Sequence, residues 1–213
     1  MMTEKEIRQA LKDAGIRLLE KGLTQGTWGN LSIRLDERHM VVTPSGLDYT
    51  RLTPDDMVVV DIETLEYNSH VKPTSEKKIH AAIYRERKDI NAVIHSHPLN
   101  SSSVAAARKS LPVMSEEMRR LVGGEARLAR YGLPSTDSLT KSTIKALEGR
   151  NACLQANHGL VVCAGSMDEA FEVCRVMEES ARLYIESEVK KILKKDDIVA
   201  EDIIEAFCNI INK

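Results

Sequence analysis

The stretch Val93-Ile94-His95-Ser96-His97-Pro98 is the most informative feature of this chain. Its apolar residues predict a buried strand. Alternate residues of a strand lie on one face, so His95 and His97 point the same way with Cα atoms about 7 Å apart. Two imidazoles at that separation can bind one divalent metal ion. The alternative is a strand end with two histidines hydrogen-bonded to their neighbours.

A third histidine follows another short apolar stretch, in Gln155-Ala156-Asn157-His158-Gly159. Three histidines with an open fourth position are the usual design of a catalytic zinc site. His80 is a further candidate because it lies four residues after Glu76 on one predicted helix face, although packing with ordinary hydrogen bonds is the simpler interpretation there. We therefore expect a metalloenzyme.

Composition narrows the class of protein. The 213 residues are 42% hydrophobic and 29% charged, as in an ordinary globular domain. A net charge of -2 gives no electrostatic reason to expect binding to nucleic acid or to an anionic membrane surface. No apolar run approaches about 20 residues and the N-terminus lacks a signal core, so we expect neither a membrane span nor secretion. Four cysteines without a CxxC pair favour reduced thiols in the cytoplasm.

Helices and strands are predicted to alternate along the chain. The predicted helices cover 3–22 (ended by Gly22), 76–87 (capped by Ser75), 101–109, 137–147, 167–193 and 200–211. The predicted strands are 31–35, 40–43, 57–61, the His95/His97 strand, 152–155 and 160–163. With no linker or repeat between them, these elements predict one α/β domain over residues 1–213, with a sheet covered by helices.

Three loops have the character of an anion-binding site. Pro73-Thr74-Ser75-Glu76 opens a predicted helix, and exposed N–H groups at a helix start attract anions. Gly26-Thr27-Trp28-Gly29-Asn30 and Thr43-Pro44-Ser45-Gly46 combine glycines with small polar side chains. Taken alone, each loop is equally consistent with an ordinary turn or helix start. Together with the histidines they predict a small phosphorylated substrate beside a metal, held without lysine or arginine.

Taken in chain order, these motifs resemble the class II sugar-phosphate aldolase/epimerase family from about Leu11 to Tyr184: the loops that begin at Gly26, Thr43 and Pro73, then His95-Ser96-His97 and Asn157-His158-Gly159. The resemblance implies a three-layer α/β/α domain with a mixed, largely antiparallel sheet. It also implies homotetramers with active sites between subunits. The residue roles that it implies are zinc ligation by His95, His97 and His158, acid/base catalysis by Glu76, and phosphate binding by Gly29, Asn30, Ser45, Gly46, Thr74 and Ser75.

The activity implied by the resemblance is zinc-dependent cleavage of a ketose 1-phosphate, similar to L-fuculose 1-phosphate. The products would be dihydroxyacetone phosphate and a small aldehyde, formed through a metal-stabilised enediolate. Glu76 favours the aldolase branch, because the 4-epimerases carry aspartate there. Glu116 and Pro134 stand where we align aromatic residues of the family, which leaves the proton donor and the aldehyde open.

Other functions fit the same scaffold. A methylthioribulose-phosphate dehydratase, a ribulose-phosphate 4-epimerase and a sugar-acid phosphate decarboxylase would use the same metal and the same phosphate pocket. A non-catalytic assembly module of the adducin-head type would lack the complete ligand set, and this chain retains all three histidines and Glu76.

Overall fold

One seven-stranded sheet organises the protein. The structure is a computed structural model that describes residues 2–194, so the helix predicted over 200–211 lies outside the described residues. The strands are β1 (Asn30–Arg34), β2 (His39–Val42), β3 (Val58–Asp61), β4 (Ala92–Ser96), β5 (Leu128–Ala129), β6 (Ala152–Gln155) and β7 (Gly159–Ala164).

Strand β4, which carries the histidine motif, lies in the middle of this sheet. The strand order is β3-β2-β1-β4-β7-β6-β5. All neighbours are antiparallel except β5 and β6, which are parallel. Asn30 of β1 and Val161 of β7 stand opposite His95, one on each side. The predicted mixed, largely antiparallel sheet is confirmed.

Helices cover both faces of the sheet. They are α1 (Glu4–Glu20), α2 (Lys77–Glu86), α3 (Leu99–Ala106), α4 (Glu116–Val122), α5 (Asp137–Leu147) and α6 (Met167–Leu193). Buried residues of α1, α3, α4 and α6 pack on one face, and those of α2 and α5 pack on the other. Within β4, Ile94 belongs to the first core and Val93 to the second, as strand alternation requires. The predicted three-layer α/β/α fold is confirmed.

Helix α2 begins later than the sequence predicts. Ser75 was expected to be its N-cap, but the N-cap is Glu76 and the helix starts at Lys77. The local hydrogen bond that competes with the cap is made by Thr74, whose hydroxyl accepts from the backbone N–H of Glu76 at 3.2 Å. The Glu76 side chain is thereby held at the start of the helix instead of within its first turn.

The other differences concern short elements. The helix predicted over 101–109 is α3, shifted toward its N-terminus, and Arg108 has a positive φ of 56° that a helix cannot contain. Helix α4 and strand β5 were not predicted. The signals for α4 were Ser115, which caps it, and Gly123, which ends it at φ 90°.

None of the helices between residues 2 and 194, including the 27-residue α6, has the length and apolar character needed to cross a membrane.

Candidate metal centre

Three histidines from two distant segments meet beside the end of β4. His95 lies in β4, His97 follows it, and His158 lies in the turn between β6 and β7. Because β4 and β7 are antiparallel neighbours, the start of β7 lies beside the end of β4. One ring nitrogen of each histidine lies within 4.8 Å of the others. The structure therefore brings together all three predicted ligands.

The ring of His95 is oriented for metal binding by the backbone. Its Nδ1 lies 3.0 Å from the carbonyl oxygen of Leu160, which can only accept, so Nδ1 carries the proton. The lone pair is therefore on Nε2, which is buried and makes no hydrogen bond. A buried nitrogen of His97 and one of His158 also lack a hydrogen-bond partner. Polar atoms are rarely buried unpaired, so this donor set fits a divalent metal such as zinc.

The protonation of the histidines also suits a metal. Burial lowers the pKa of His97 to about 3 and that of His158 to about 4, because water no longer stabilises the charged ring. A positive charge on His95 would lower the pKa of both rings further, because like charges repel. At neutral pH these imidazoles are neutral, which is the form that binds a metal ion.

A glycine lets the two ligand segments approach each other. A Cβ atom at Gly159 would lie 2.5 Å from the carbonyl oxygen of Ser96 and 2.7 Å from the Cδ2 atom of His97. Asn157, two residues earlier, has a left-handed φ of 54°, a conformation that asparagine tolerates better than most residues. The turn that carries His158 can therefore lie directly against the His97 segment.

Glu76 lies against the histidines. Its Oε2 atom is 3.1 Å from Nε2 of His95 and accepts a hydrogen bond of 3.0 Å from Nδ2 of Asn30. Its Oε1 atom is 3.7 Å from Nε2 of His158 and has no hydrogen-bond partner. Burial acts to raise the pKa of Glu76, but the charge that His95 would carry when protonated and the bond from Asn30 outweigh burial, and the pKa is lowered. The arrangement provides a charged carboxylate with one oxygen free.

A cavity of about 310 Å³ opens onto these groups. Glu76, His97 and His158 line it, and His95 lies beneath them, only 2% exposed. All six residues predicted to bind phosphate line the same cavity: Gly29, Asn30, Ser45, Gly46, Thr74 and Ser75. No lysine or arginine is among its described lining residues. An anion there would meet neutral donors and the N-terminus of α2.

Several other residues are placed clearly by the structure. Thr27, Trp28 and Pro134 also line the cavity, and Trp28 is packed edge-on against His97. Glu116 begins α4, pairs with Arg119 and is not among the lining residues. A larger cavity of about 800 Å³, between α1, β1 and the start of α6, contains none of the predicted site residues.

His80 is not placed as a metal ligand. It is fully buried on α2, with Nδ1 bonded to the Ser32 hydroxyl and Nε2 bonded to Oδ1 of Asn30, each at 2.6 Å. Both ring nitrogens are therefore occupied, as the simpler interpretation of the sequence predicted.

Known proteins are similar to this chain in sequence and in fold. Residues 9–185 match the model of the class II aldolase and adducin N-terminal domain family. The chain is 33% identical to a 5-deoxy-D-ribulose 1-phosphate aldolase of Bacillus thuringiensis, over 93% of this chain and 94% of that protein. It is 30% identical to the L-fuculose phosphate aldolase of Escherichia coli, over 86% of this chain and 85% of that protein. A solved L-fuculose 1-phosphate aldolase superimposes with a TM-score of 0.82 and 31% identity, covering 98% of this chain and 97% of that one.

The chain belongs to the class II aldolase and adducin N-terminal domain family. It also matches aldolases over most of its length. The chain is therefore a metal-dependent lyase of the class II aldolase type. The predicted family and enzyme class are confirmed.

Proposed function

We propose that this chain is a zinc-dependent aldolase that cleaves a ketose 1-phosphate to dihydroxyacetone phosphate and a small aldehyde. The observation that carries the proposal is the convergence of His95, His97 and His158 on one point, with Glu76 against them. An assembly module would have no use for buried ring nitrogens without partners.

The phosphate end of the substrate fits the neutral side of the cavity. Ser45, Thr74 and Ser75 supply hydroxyl groups there, and the α2 N-terminus supplies a partial positive charge. At Gly46 no atom lies within 4 Å of an added Cβ, so a phosphate can approach the backbone closely. We assign phosphate binding to these four residues and to Gly29 and Asn30, which line the same cavity.

The reacting end of the substrate then lies beside the histidines and Glu76. A divalent metal bound by the histidines would supply Lewis-acid polarisation of the carbonyl and stabilise the enediolate. Glu76 acts as the acid/base: its unpartnered Oε1 takes the proton of the hydroxyl group next to the C–C bond that breaks, the hydroxyl carbon leaves as the aldehyde, and Oε1 returns the proton to the carbon left at the broken bond. Oε2 stays bonded to Asn30 throughout. Glu76 and His95 are themselves only 5% and 2% exposed, which limits the contact of these two groups with water. The phosphate anchored at the start of α2 holds the reacting carbons near Oε1.

The names of the aldolase relatives, which all specify a sugar phosphate, support the proposed substrate class. Their names specify 5-deoxy-D-ribulose 1-phosphate, 5-methylthioribulose 1-phosphate or L-fuculose phosphate. We propose a ketose 1-phosphate for this chain, in keeping with the phosphate pocket. The dehydratase, 4-epimerase and decarboxylase remain the alternatives on the same scaffold, and they differ in not releasing dihydroxyacetone phosphate.

The assembly and the compartment are part of the proposal. We propose a homotetramer with active sites between subunits. Large apolar side chains that lie exposed near the cavity support this assembly, because a neighbouring subunit would bury them. They include Trp28 at the cavity edge, and Tyr131 and Leu133 just before Pro134. We also propose the cytoplasm, since Cys153, Cys163 and Cys174 are buried free thiols.

The test is a panel of the three named ketose 1-phosphates, assayed with a dehydrogenase that detects dihydroxyacetone phosphate. We expect release of this product, its loss with a chelator, and its recovery with added zinc. His95→Ala should lose both bound zinc and activity. The matched control is His70→Ala, because His70 is exposed in a turn, and it should keep both. Turnover without this product would favour an alternative enzyme, and full zinc in His95→Ala would refute the ligand assignment.

A further inference from the structure

A row of buried hydrogen bonds runs from Glu76 into the protein core. Nδ2 of Asn30 donates to Oε2 of Glu76 at 3.0 Å, and Oδ1 of the same amide lies 2.6 Å from Nε2 of His80. Nδ1 of His80 lies 2.6 Å from the hydroxyl of Ser32. We call Glu76, Asn30, His80 and Ser32 the Glu76 network. The proposed function gives no role to His80 or Ser32, and both are fully buried.

The chemistry of these groups fixes the direction of every bond. A carboxylate only accepts, so the amide of Asn30 must present its NH₂ group to Glu76. Its oxygen then faces His80, and Nε2 of His80 must carry the proton. Nδ1 is consequently the acceptor, and the hydroxyl of Ser32 donates to it. Burial lowers the pKa of His80 to about 3, which is consistent with a neutral ring.

The network connects two elements that match in spacing. Asn30 and Ser32 are alternate residues of β1, on one face of the strand. Glu76 and His80 are four residues apart at the start of α2, on one face of the helix. The two members of the strand pair are about 6.6 Å apart along β1, and the two members of the helix pair are about 6 Å apart along α2. Each residue of β1 can therefore meet its partner on α2 without strain.

We propose that His80 is a positioning residue that acts on Glu76 through Asn30. By donating to Oδ1, His80 fixes the Asn30 amide in the orientation that holds Oε2 of Glu76. Oε1, which has no partner and lies 3.7 Å from His158, is thereby left free for proton transfer. This inference rests on the proposed function in taking Glu76 as the acid/base.

Two substitutions of His80 separate this role from simple packing. His80→Leu removes the donor, whereas His80→Gln places an amide N–H near the position of Nε2. Outer-shell partners of this kind change activity by about 10- to 100-fold. We expect His80→Leu to lower kcat by about that factor with KM and zinc content nearly unchanged, and His80→Gln to restore most of the kcat. An equal loss of kcat in both folded variants, or no loss in His80→Leu, would overturn the proposal.

A control on the same helix tests for general damage. The hydroxyl of Tyr84 lies 2.9 Å from that of Ser32, outside the Glu76 network. Tyr84→Phe therefore removes a buried hydrogen bond but leaves all three bonds of the network. We expect it to lower the melting temperature with kcat close to that of the wild type. A fall in kcat as large as that of His80→Leu would show that any disturbance of this core suffices, and would count against a specific role for His80.

A spectroscopic readout is independent of turnover and of the stability of any variant. Nitrogen-15 NMR of the zinc-free wild-type protein should show His80 as a neutral ring with its proton on Nε2. A proton on Nδ1 would mean that the Asn30 amide is turned the other way, and would refute the proposal. If the wild type releases no dihydroxyacetone phosphate from any ketose phosphate, the proposed function fails, while this NMR result still decides how the Asn30 amide is oriented.

Discussion

At the residue scale, the two oxygens of Glu76 have different surroundings. Oε2 is bonded to Asn30, whereas Oε1 has no hydrogen-bond partner although it is buried. An unpaired buried oxygen destabilises the fold by about 1–3 kcal/mol. Such a cost at the cavity wall is typical of a group that completes its bonding only with a ligand or a metal present.

Glu76→Gln tests this division of roles. Glutamine has nearly the same shape but cannot accept a proton at neutral pH, so kcat should fall by at least about 100-fold, the usual contribution of a positioned acid or base. The three histidines are untouched, so zinc content measured by atomic absorption should equal that of the wild type. A variant with nearly normal kcat would remove Glu76 from its proposed role.

At the element scale, the site depends on how closely two turns approach. The β6–β7 turn, with His158, packs on the residues that follow β4, and Gly159 is the contact point. Gly159 lies close to the backbone of Ser96 and to the ring of His97, and neither of these can move without displacing the site. Close packing of this kind makes even one added methyl group costly.

Gly159→Ala should therefore separate the ligands and weaken the fold. Overpacking costs about 1–3 kcal/mol, and here part of it would displace the His97 ring. We expect a lower free energy of unfolding in urea and weaker zinc binding in a competition titration. The control is Gly165→Ala, because its added Cβ meets mainly the end of the Glu169 side chain, which can turn aside. Unchanged zinc affinity in Gly159→Ala would show that the turn has room to adjust.

At the scale of the whole molecule, the fold holds neutral histidines together in a buried place. The pKa of His80 is lowered to about 3, that of His97 to about 3 and that of His158 to about 4, chiefly by burial. An unfolded histidine has a pKa of about 6.5. Between these values the unfolded chain binds more protons than the folded one, so acid favours unfolding.

The metal-free protein should consequently lose stability as the pH falls. The stabilisation from the neutral rings is fully present above about pH 6.5 and is lost progressively as the pH falls toward about 3. The fully buried His80 alone contributes a slope of up to about 1.4 kcal/mol per pH unit. Urea unfolding with chelator at about pH 7, 6 and 5 measures this dependence, and His80→Gln should reduce its slope. Equal stability across this range would contradict neutral, buried rings in the folded state.

Local sequence patterns were enough to predict most of the elements and all the candidate residues. His95 and His97 share a face because strand residues alternate, and the large helices and strands follow from apolar periodicity and from Gly22. The short helix α4 was missed because seven residues carry too little periodicity to outweigh their polar content. The cap of α2 was misplaced because the Thr74 hydroxyl bonds the backbone N–H of Glu76, and Glu76 stands at the N-cap without a side-chain cap bond.

Which of these residues meet depends on how the elements pack together. His158 lies beside His97 because β7 pairs with β4, and strand pairing between distant segments leaves no mark on either segment alone. The same holds for His80, whose neighbours come from β1: its position on α2 is compatible with a metal ligand, and only the packing of α2 on the sheet gives both of its ring nitrogens protein partners. Local sequence fixes the direction of a side chain relative to its own element, whereas contacts between elements depend on how the sheet is ordered and where each helix crosses it.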